Sequence, residues 1–141
     1  LALRIPYVRM IAVRVRVAGV APWSAPLAVF GVLLCVFGIG YAIWARWHLG
    51  KNWSPAPALK EKHELVTSGP YRYVRHPIYT GTLIAALGSG IADPYWFFMF
   101  ALMLVMFVRR VFVEERLMMQ EFPEQYPQYK KHTWALIPWV W

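Results

Sequence analysis

Hydrophobic and polar positions divide the chain into blocks. Residues 25–45, APLAVFGVLLCVFGIGYAIWA, run without a charge. About 21 apolar residues are what a helix rising 1.5 Å per residue needs to cross a bilayer. Trp23, Trp44 and Trp47 bracket this run, where indole rings anchor at the interface. Polar positions take over at 46–77, with Arg46, Lys51, Lys60, Lys62, Arg72 and Arg75. Within them NWSPAPAL reads as an extended loop, because each proline removes a donor and biases its predecessor away from helix. A second apolar run, 78–91, is too short to cross alone unless its first turn sits in the interface. ADP at 92–94 makes a tight turn. A third run, 95–108, continues as an amphipathic helix through RRVFVEERLMMQEF. The last two runs predict a helical hairpin. The C-terminal EFPEQYPQYKKHTWALIPWVW is polar and then aromatic, and is expected to fold back along the membrane surface.

The blocks predict an all-α integral membrane protein with about three transmembrane segments. The expected division is a basic interfacial arm (1–22), a transmembrane helix (23–47), a cytoplasmic connector (48–77), a transmembrane helical hairpin (78–116) and a cytoplasmic or interfacial C-terminal region (117–141). The arm holds Arg4, Arg9, Arg14 and Arg16 among Val, Ile and Ala; its VRVRV alternates like a strand but has no partner to pair with. Small residues recur on two of the apolar runs. Gly31, Cys35 and Gly38 offer a face for close helix packing, and Gly81, Ala85 and Gly88 let a neighbour or a ligand approach the backbone.

Composition agrees with the pattern. The chain is 59% hydrophobic and 16% charged, too little polar character for a soluble domain of this size. The single Cys35 excludes an intramolecular disulfide, and no zinc-type Cys/His spacing exists, so no metal is expected. The net charge of +8 sits beside apolar segments, which points to anionic lipid or an anionic substrate and away from nucleic acid. Positive residues crowd the connector and the C-terminal region, while the ADP turn carries only Asp93. The positive-inside rule then places connector and C-terminus in the cytoplasm, with arm 1–22 on the disfavoured side of the first helix. Leu1 in place of Met reads as a processed, trimmed or incomplete start, and no signal-peptide pattern precedes the first run.

Candidate chemistry concentrates in GPYRYVRHPIYTG, residues 69–81. Pro77 suits the first position of a helix, where its missing N–H is not needed. His76 then falls at the N-cap with Arg75 just before it, and the free N–H groups of the first turn make an anion site. Tyr79 lies in that turn, Gly81 leaves room for a ligand, and Tyr71 and Tyr73 add aromatic faces that attract cations. Such a site suits a molecule with both a carboxylate and a positive centre. A belt of Arg and Tyr gripping headgroups accounts for the same residues. Further on, Arg110 and Glu114 are four apart and share a helix face, while Arg109 and Glu115 are expected to point elsewhere.

In order and spacing, LGKNWS, HELVTSGPYRYVRHPIYTG, RRVFVEERL and FPEQYPQYKKH resemble the isoprenylcysteine carboxyl methyltransferases and the related phospholipid methyltransferases, over roughly residues 49–132. The resemblance implies an integral membrane enzyme using S-adenosylmethionine, with its active site facing the cytoplasm. The lack of a glycine-rich βαβ fingerprint agrees with that. It implies cofactor contacts from His63, Glu64, Leu65, Val66, Tyr71, His76, Pro77, Ile78, Tyr79 and Glu114. It implies that Arg110 holds the substrate carboxylate, as the catalytic residue. The implied partners are membrane lipids and a lipophilic substrate of the prenylated-cysteine kind. Pro123 departs from the glycine that family members often have after Phe122, and alters the turn before Tyr126. Three alternatives stay open: N-methylation of an amine headgroup, with Glu114, Glu115 or His76 as base; an NADPH-dependent reductase of the membrane sterol type; and a non-enzymatic membrane anchor with basic flanks.

Overall fold

The structure is a computed structural model that describes residues 25–52 and 64–141. The arm 1–22, Trp23, most of the NWSPAPAL loop and His63 lie outside the described residues. Among the described residues four α-helices follow one another: α1 (Ala25–Leu49), α2 (Pro77–Ala92), α3 (Phe97–Glu121) and α4 (Gln125–Lys131). Among the described residues there is no strand, only an isolated parallel bridge between Val74 and Trp134. The all-α expectation holds there. Helix α1 ends two residues past its expected limit, and α3 runs on to Glu121, beyond the expected end of the hairpin at 116.

Among the described residues two segments, Ala25–Asn52 and Pro94–Glu121, are long and apolar enough to cross a membrane; α2 is a shorter apolar helix. Their exposure separates them from the core helices of a soluble protein. Leu33 is 63% exposed, Val36 62% and Phe98 70%, and Val105, Met106 and Phe112 are more than half exposed. Apolar faces of that extent need a solvent other than water. The protein is an integral membrane protein.

Helix α2 packs antiparallel along α1 at backbone contact. A Cβ added to Gly31 would stand 2.6 Å from the Gly88 carbonyl oxygen, and one added to Gly38 would stand 2.4 Å from the Ala85 nitrogen. From the other side, a Cβ on Gly81 or Gly88 would strike α1 backbone near Ala42 or Cys35. The two small-residue stripes therefore face each other. The neighbour that uses the Gly81–Ala85–Gly88 stripe is α1, which makes α1 and α2 the tighter pair and α2–α3 the looser hairpin. In lipid such contact is favourable because close packing replaces the missing hydrophobic drive.

The α2–α3 turn forms where expected. Asp93 accepts a hydrogen bond from the Tyr95 backbone N–H at 3.1 Å and so starts the 3-10 turn Pro94–Trp96. On the far side, Leu83 and Val111 join the C-terminal Ala135 and Leu136 in a small buried core, flanked by Tyr79, Phe107 and Val108. The C-terminal region does more than lie along a surface. After α4 it turns back onto residues 73–76: Trp134 N donates to Tyr73 O, Arg75 N to Trp134 O at 2.8 Å, and His76 N to Ala135 O at 3.1 Å.

Candidate functional site

The site is assembled at the head of α2. Helix α2 begins at Pro77 with His76 at the N-cap, as the proline requires. Pro77 is fully buried, and Thr80 anchors the turn by donating to the Leu136 carbonyl at 2.7 Å. His76 and Tyr79, three apart, share one face of the first turn, and their rings stack with centroids 5.7 Å apart. Tyr79 stacks in turn on Phe107 of α3 at 4.6 Å.

Across from this face stands Glu114 of α3. Its Oε1 accepts from the Tyr79 hydroxyl at 2.5 Å and from Arg110 Nε at 2.8 Å. Its Oε2 lies 3.3 Å from His76 Nδ1. The Arg110 guanidinium also sits 5.8 Å from the centre of the Tyr79 ring. Arg110, Glu114, His76 and Tyr79 thus form one constellation, and the shared helix face expected of Arg110 and Glu114 is present as an ion pair.

Glu115 points away from the Arg110–Glu114 face, as expected, but its destination was not foreseen. One residue on from Glu114, it turns by about 100° around the helix and into the protein. It is 7% exposed, and it binds Arg75 Nε at 2.7 Å and Lys130 Nζ at 2.6 Å. Arg75 continues to the C-terminal segment, donating to the carbonyls of Lys130 and Thr133. Two adjacent carboxylates in an apolar helix were the available signal for this cluster. Its partners Arg75 and Lys130 are 55 residues apart, a pairing no local pattern reveals.

His76 takes part in both clusters. Its side chain is 9% exposed, and its Nε2 is buried without a hydrogen-bond partner, 3.8 Å from Glu115. Burial pushes its pKa down, but the contact with Glu114 and the negative charge of Glu114 and Glu115 outweigh that and leave it raised above the ordinary value.

The GPYR segment forms a 3-10 turn, Gly69–Arg72, beside the end of α1. Gly69 has φ of +59°, and a Cβ there would stand 2.6 Å from the His48 ring. Tyr71 is buried. It stacks on His48, donates to Ala45 O at 3.4 Å, and its carbonyl accepts from the Tyr129 hydroxyl at 2.5 Å. Burial raises the pKa of both Tyr71 and Tyr129, so these hydroxyls stay protonated donors. Tyr73 stands 58% exposed. Of the remaining expected contacts, Ile78 is half-buried in the first turn of α2, Glu64 is exposed, and Val66 is half-buried. Leu65 and Thr67 face Gln125, Gln128, Tyr129 and His132 across an open cleft of about 380 Å³. The described structure therefore brings Tyr71, His76, Pro77, Ile78, Tyr79, Arg110 and Glu114 around one helix end. Leu65 lines the neighbouring cleft with Tyr129, whose hydroxyl bonds the Tyr71 carbonyl.

Comparison with known proteins shows the family. The sequence profile of the phospholipid methyltransferase family matches residues 27–125. The human protein-S-isoprenylcysteine O-methyltransferase is 32% identical over 119 residues, 81% of this chain and 42% of the human protein. The Schizosaccharomyces pombe protein-S-isoprenylcysteine O-methyltransferase is 36% identical over 96 residues, 64% of this chain and 41% of the relative. The solved structure of a eukaryotic intramembrane Ras methyltransferase, an isoprenylcysteine carboxyl methyltransferase, superposes with a TM-score of 0.73 at 27% identity, covering 81% of this chain and 43% of that one. The chain spans about two fifths of the length of these relatives. Since the profile covers well over half of the sequence, the chain belongs to the phospholipid methyltransferase family.

Proposed function

We propose that this chain is an S-adenosylmethionine-dependent membrane methyltransferase that esterifies the carboxylate of a lipophilic, isoprenylcysteine-like substrate. The observation that carries the reading is the convergence of His76, Tyr79 and Arg110 on Glu114 at the head of α2. The residues suit a zwitterionic cofactor. The unpartnered His76 Nε2 and the helix N-terminus favour a carboxylate, and Glu114 with the Tyr79 face favours an amino group or a sulfonium. When bound, the cofactor supplies an electrophilic methyl group.

The protein's own part is then positional. A carboxylate is already a nucleophile at neutral pH, so no base is needed, and alignment with exclusion of water supplies the rate. Arg110 stays charged at any relevant pH and can orient that carboxylate, which it must release as its charge is lost in the ester. His63, Glu64, Leu65 and Val66 complete the cofactor side of this proposal, with Tyr71, Pro77 and Ile78 shaping the turn. Its three-span topology puts the connector, the C-terminal region and the active site on the cytoplasmic face, following the positive charge.

N-methylation of an amine headgroup is the second reading, favoured by the family profile. It needs a carboxylate or imidazole free to take a proton. Glu114 and Glu115 are both engaged by cationic donors and His76 sits between them, which favours the carboxylate substrate. The matched relatives are methyltransferases by name, which favours methyl transfer over the reductase reading. The test is saturable binding of S-adenosylhomocysteine to purified protein, abolished in Glu114→Ala, followed by product analysis: methyl esters are base-labile and methylamines are not. Failure to bind S-adenosylhomocysteine, or binding untouched by Glu114→Ala, rejects the proposal.

A further inference from the structure

Arg75 and Glu115 are the two charged side chains that the fold buries among the described residues. An isolated buried carboxylate costs several kcal/mol, so it persists only where cations and donors surround it. Here they arrive from three directions. Arg75 comes from the loop before α2, Lys130 from the end of α4, and His76 from the α2 N-cap at 3.8 Å. The same Arg75 reaches the Thr133 carbonyl and hydroxyl, and its backbone pairs with Trp134. Removing the anion would leave Arg75 and Lys130 facing one another with nothing between them.

We infer that Glu115 is a positioning residue for the cofactor site: the buried anion on which Arg75, His76 and the C-terminal segment are assembled in one piece. The inference rests on the cofactor reading of the previous section. Glu115 acts through His76, which lies between two carboxylates. Glu114 faces Nδ1 and Glu115 faces Nε2. The other charged or titratable groups around it are Tyr79 on α2, Arg75 before it, Arg110 through Glu114, and Lys130 of α4 through Glu115. Without Glu115 the ring loses one of the two charges that favour its protonated form. The C-terminal segment loses the anchor that keeps Trp134 and Ala135 on the backbone of Arg75 and His76.

The test uses the full chain in nanodiscs. The His76 ring is followed by ¹⁵N NMR against pH, assigned with His76→Gln, and S-adenosylhomocysteine affinity is measured alongside. Glu115→Gln keeps the shape and removes the charge. Its His76 midpoint is expected to fall by about one pH unit, and the affinity at neutral pH by about tenfold. Lys130→Met loosens the α4 contact but leaves the anion beside His76. It is expected to weaken binding without lowering the midpoint. An unmoved midpoint in Glu115→Gln overturns the inference, and so does an equal fall in both variants, which would trace the effect to a loosened segment. If Glu115→Gln does not fold, Glu115→Asp replaces it. Asp draws the carboxylate back from Nε2, so a lowered midpoint with weaker binding supports the inference, and an unmoved midpoint overturns it. Wild-type protein that binds no S-adenosylhomocysteine sinks the cofactor reading instead, while the His76 midpoint still decides what Glu115 does.

Discussion

The Tyr79 hydroxyl donates to Glu114 Oε1 at 2.5 Å and so closes the space between the first turn of α2 and the charged end of α3. The ring behind that hydroxyl is held between His76 and Phe107, so the bond is aimed by packing on both faces. Tyr79→Phe keeps the stack and deletes the bond. A hydrogen bond to a charged group contributes about 1.5–3 kcal/mol. Tyr79→Phe is therefore expected to cost about 1.5–3 kcal/mol of stability in detergent, and to weaken S-adenosylhomocysteine binding because Glu114 loses one of the donors that orient it. Calorimetric titration checks this, and an unchanged affinity removes Tyr79 from the site.

Arg110 is expected to separate binding from transfer. Glu114 retains His76 and Tyr79 as partners when Arg110 is removed. Arg110→Ala is expected to lower kcat/KM by about a hundredfold or more, while S-adenosylhomocysteine affinity changes by less than about threefold. Arg110→Lys recovers only part of the rate, because a point charge does not reproduce the planar fork. A loss of cofactor binding as large as that of Glu114→Ala would contradict the role in substrate orientation.

The seam between α1 and α2 gives a paired test of packing. A Cβ on Gly38 would stand 2.4 Å from backbone of α2, whereas a Cβ on Gly40 meets nothing within 4 Å. Gly38→Ala is expected to destabilise the protein by about 1–3 kcal/mol, the usual cost of forcing atoms into a filled space. Gly40→Ala, in the same helix, is expected to be neutral or to stabilise by up to about 1 kcal/mol through helix propensity. Unfolding in SDS titrations ranks the two, and equal behaviour would disprove the backbone-contact seam.

The raised pKa of His76 has a definite sign for stability. A group that binds its proton more tightly when folded stabilises the fold fully below its unfolded pKa, about 6.5 for His. That contribution disappears as pH rises through the raised folded value. The stability advantage of wild type over His76→Gln is therefore expected to be largest in mild acid and to shrink on the alkaline side of 6.5. Melting temperatures of both proteins across that range measure it. An advantage that grows with pH would show that His76 is held neutral.

Much of the fold was legible because it rests on local pattern. An uncharged apolar run of the right length, a proline at a helix start and an Asx-type turn at Asp93 each act over a few residues, and each stands where expected. Arg110 and Glu114 were legible for the same reason, since four residues make one helical turn. The same reasoning turned Glu115 away from that face but left its destination open. One position around the helix turns it from the site face to the interior, but only knowing what lies in that interior makes the place habitable for a carboxylate.

The sequence by itself determined the class of the protein, its apolar helices, the start of α2 at Pro77 and the motif that identifies its family. These follow from hydrophobicity, backbone geometry and spacing along one chain. Tertiary structure alone decided that α1 lies against the glycine stripe of α2, that the C-terminal segment pairs with Arg75 and His76, and that Glu115 is buried between Arg75 and Lys130. Those relationships join residues tens of positions apart. They are fixed by which surfaces can approach closely and by the need of a buried charge for partners, and neither condition is written in any local stretch of sequence.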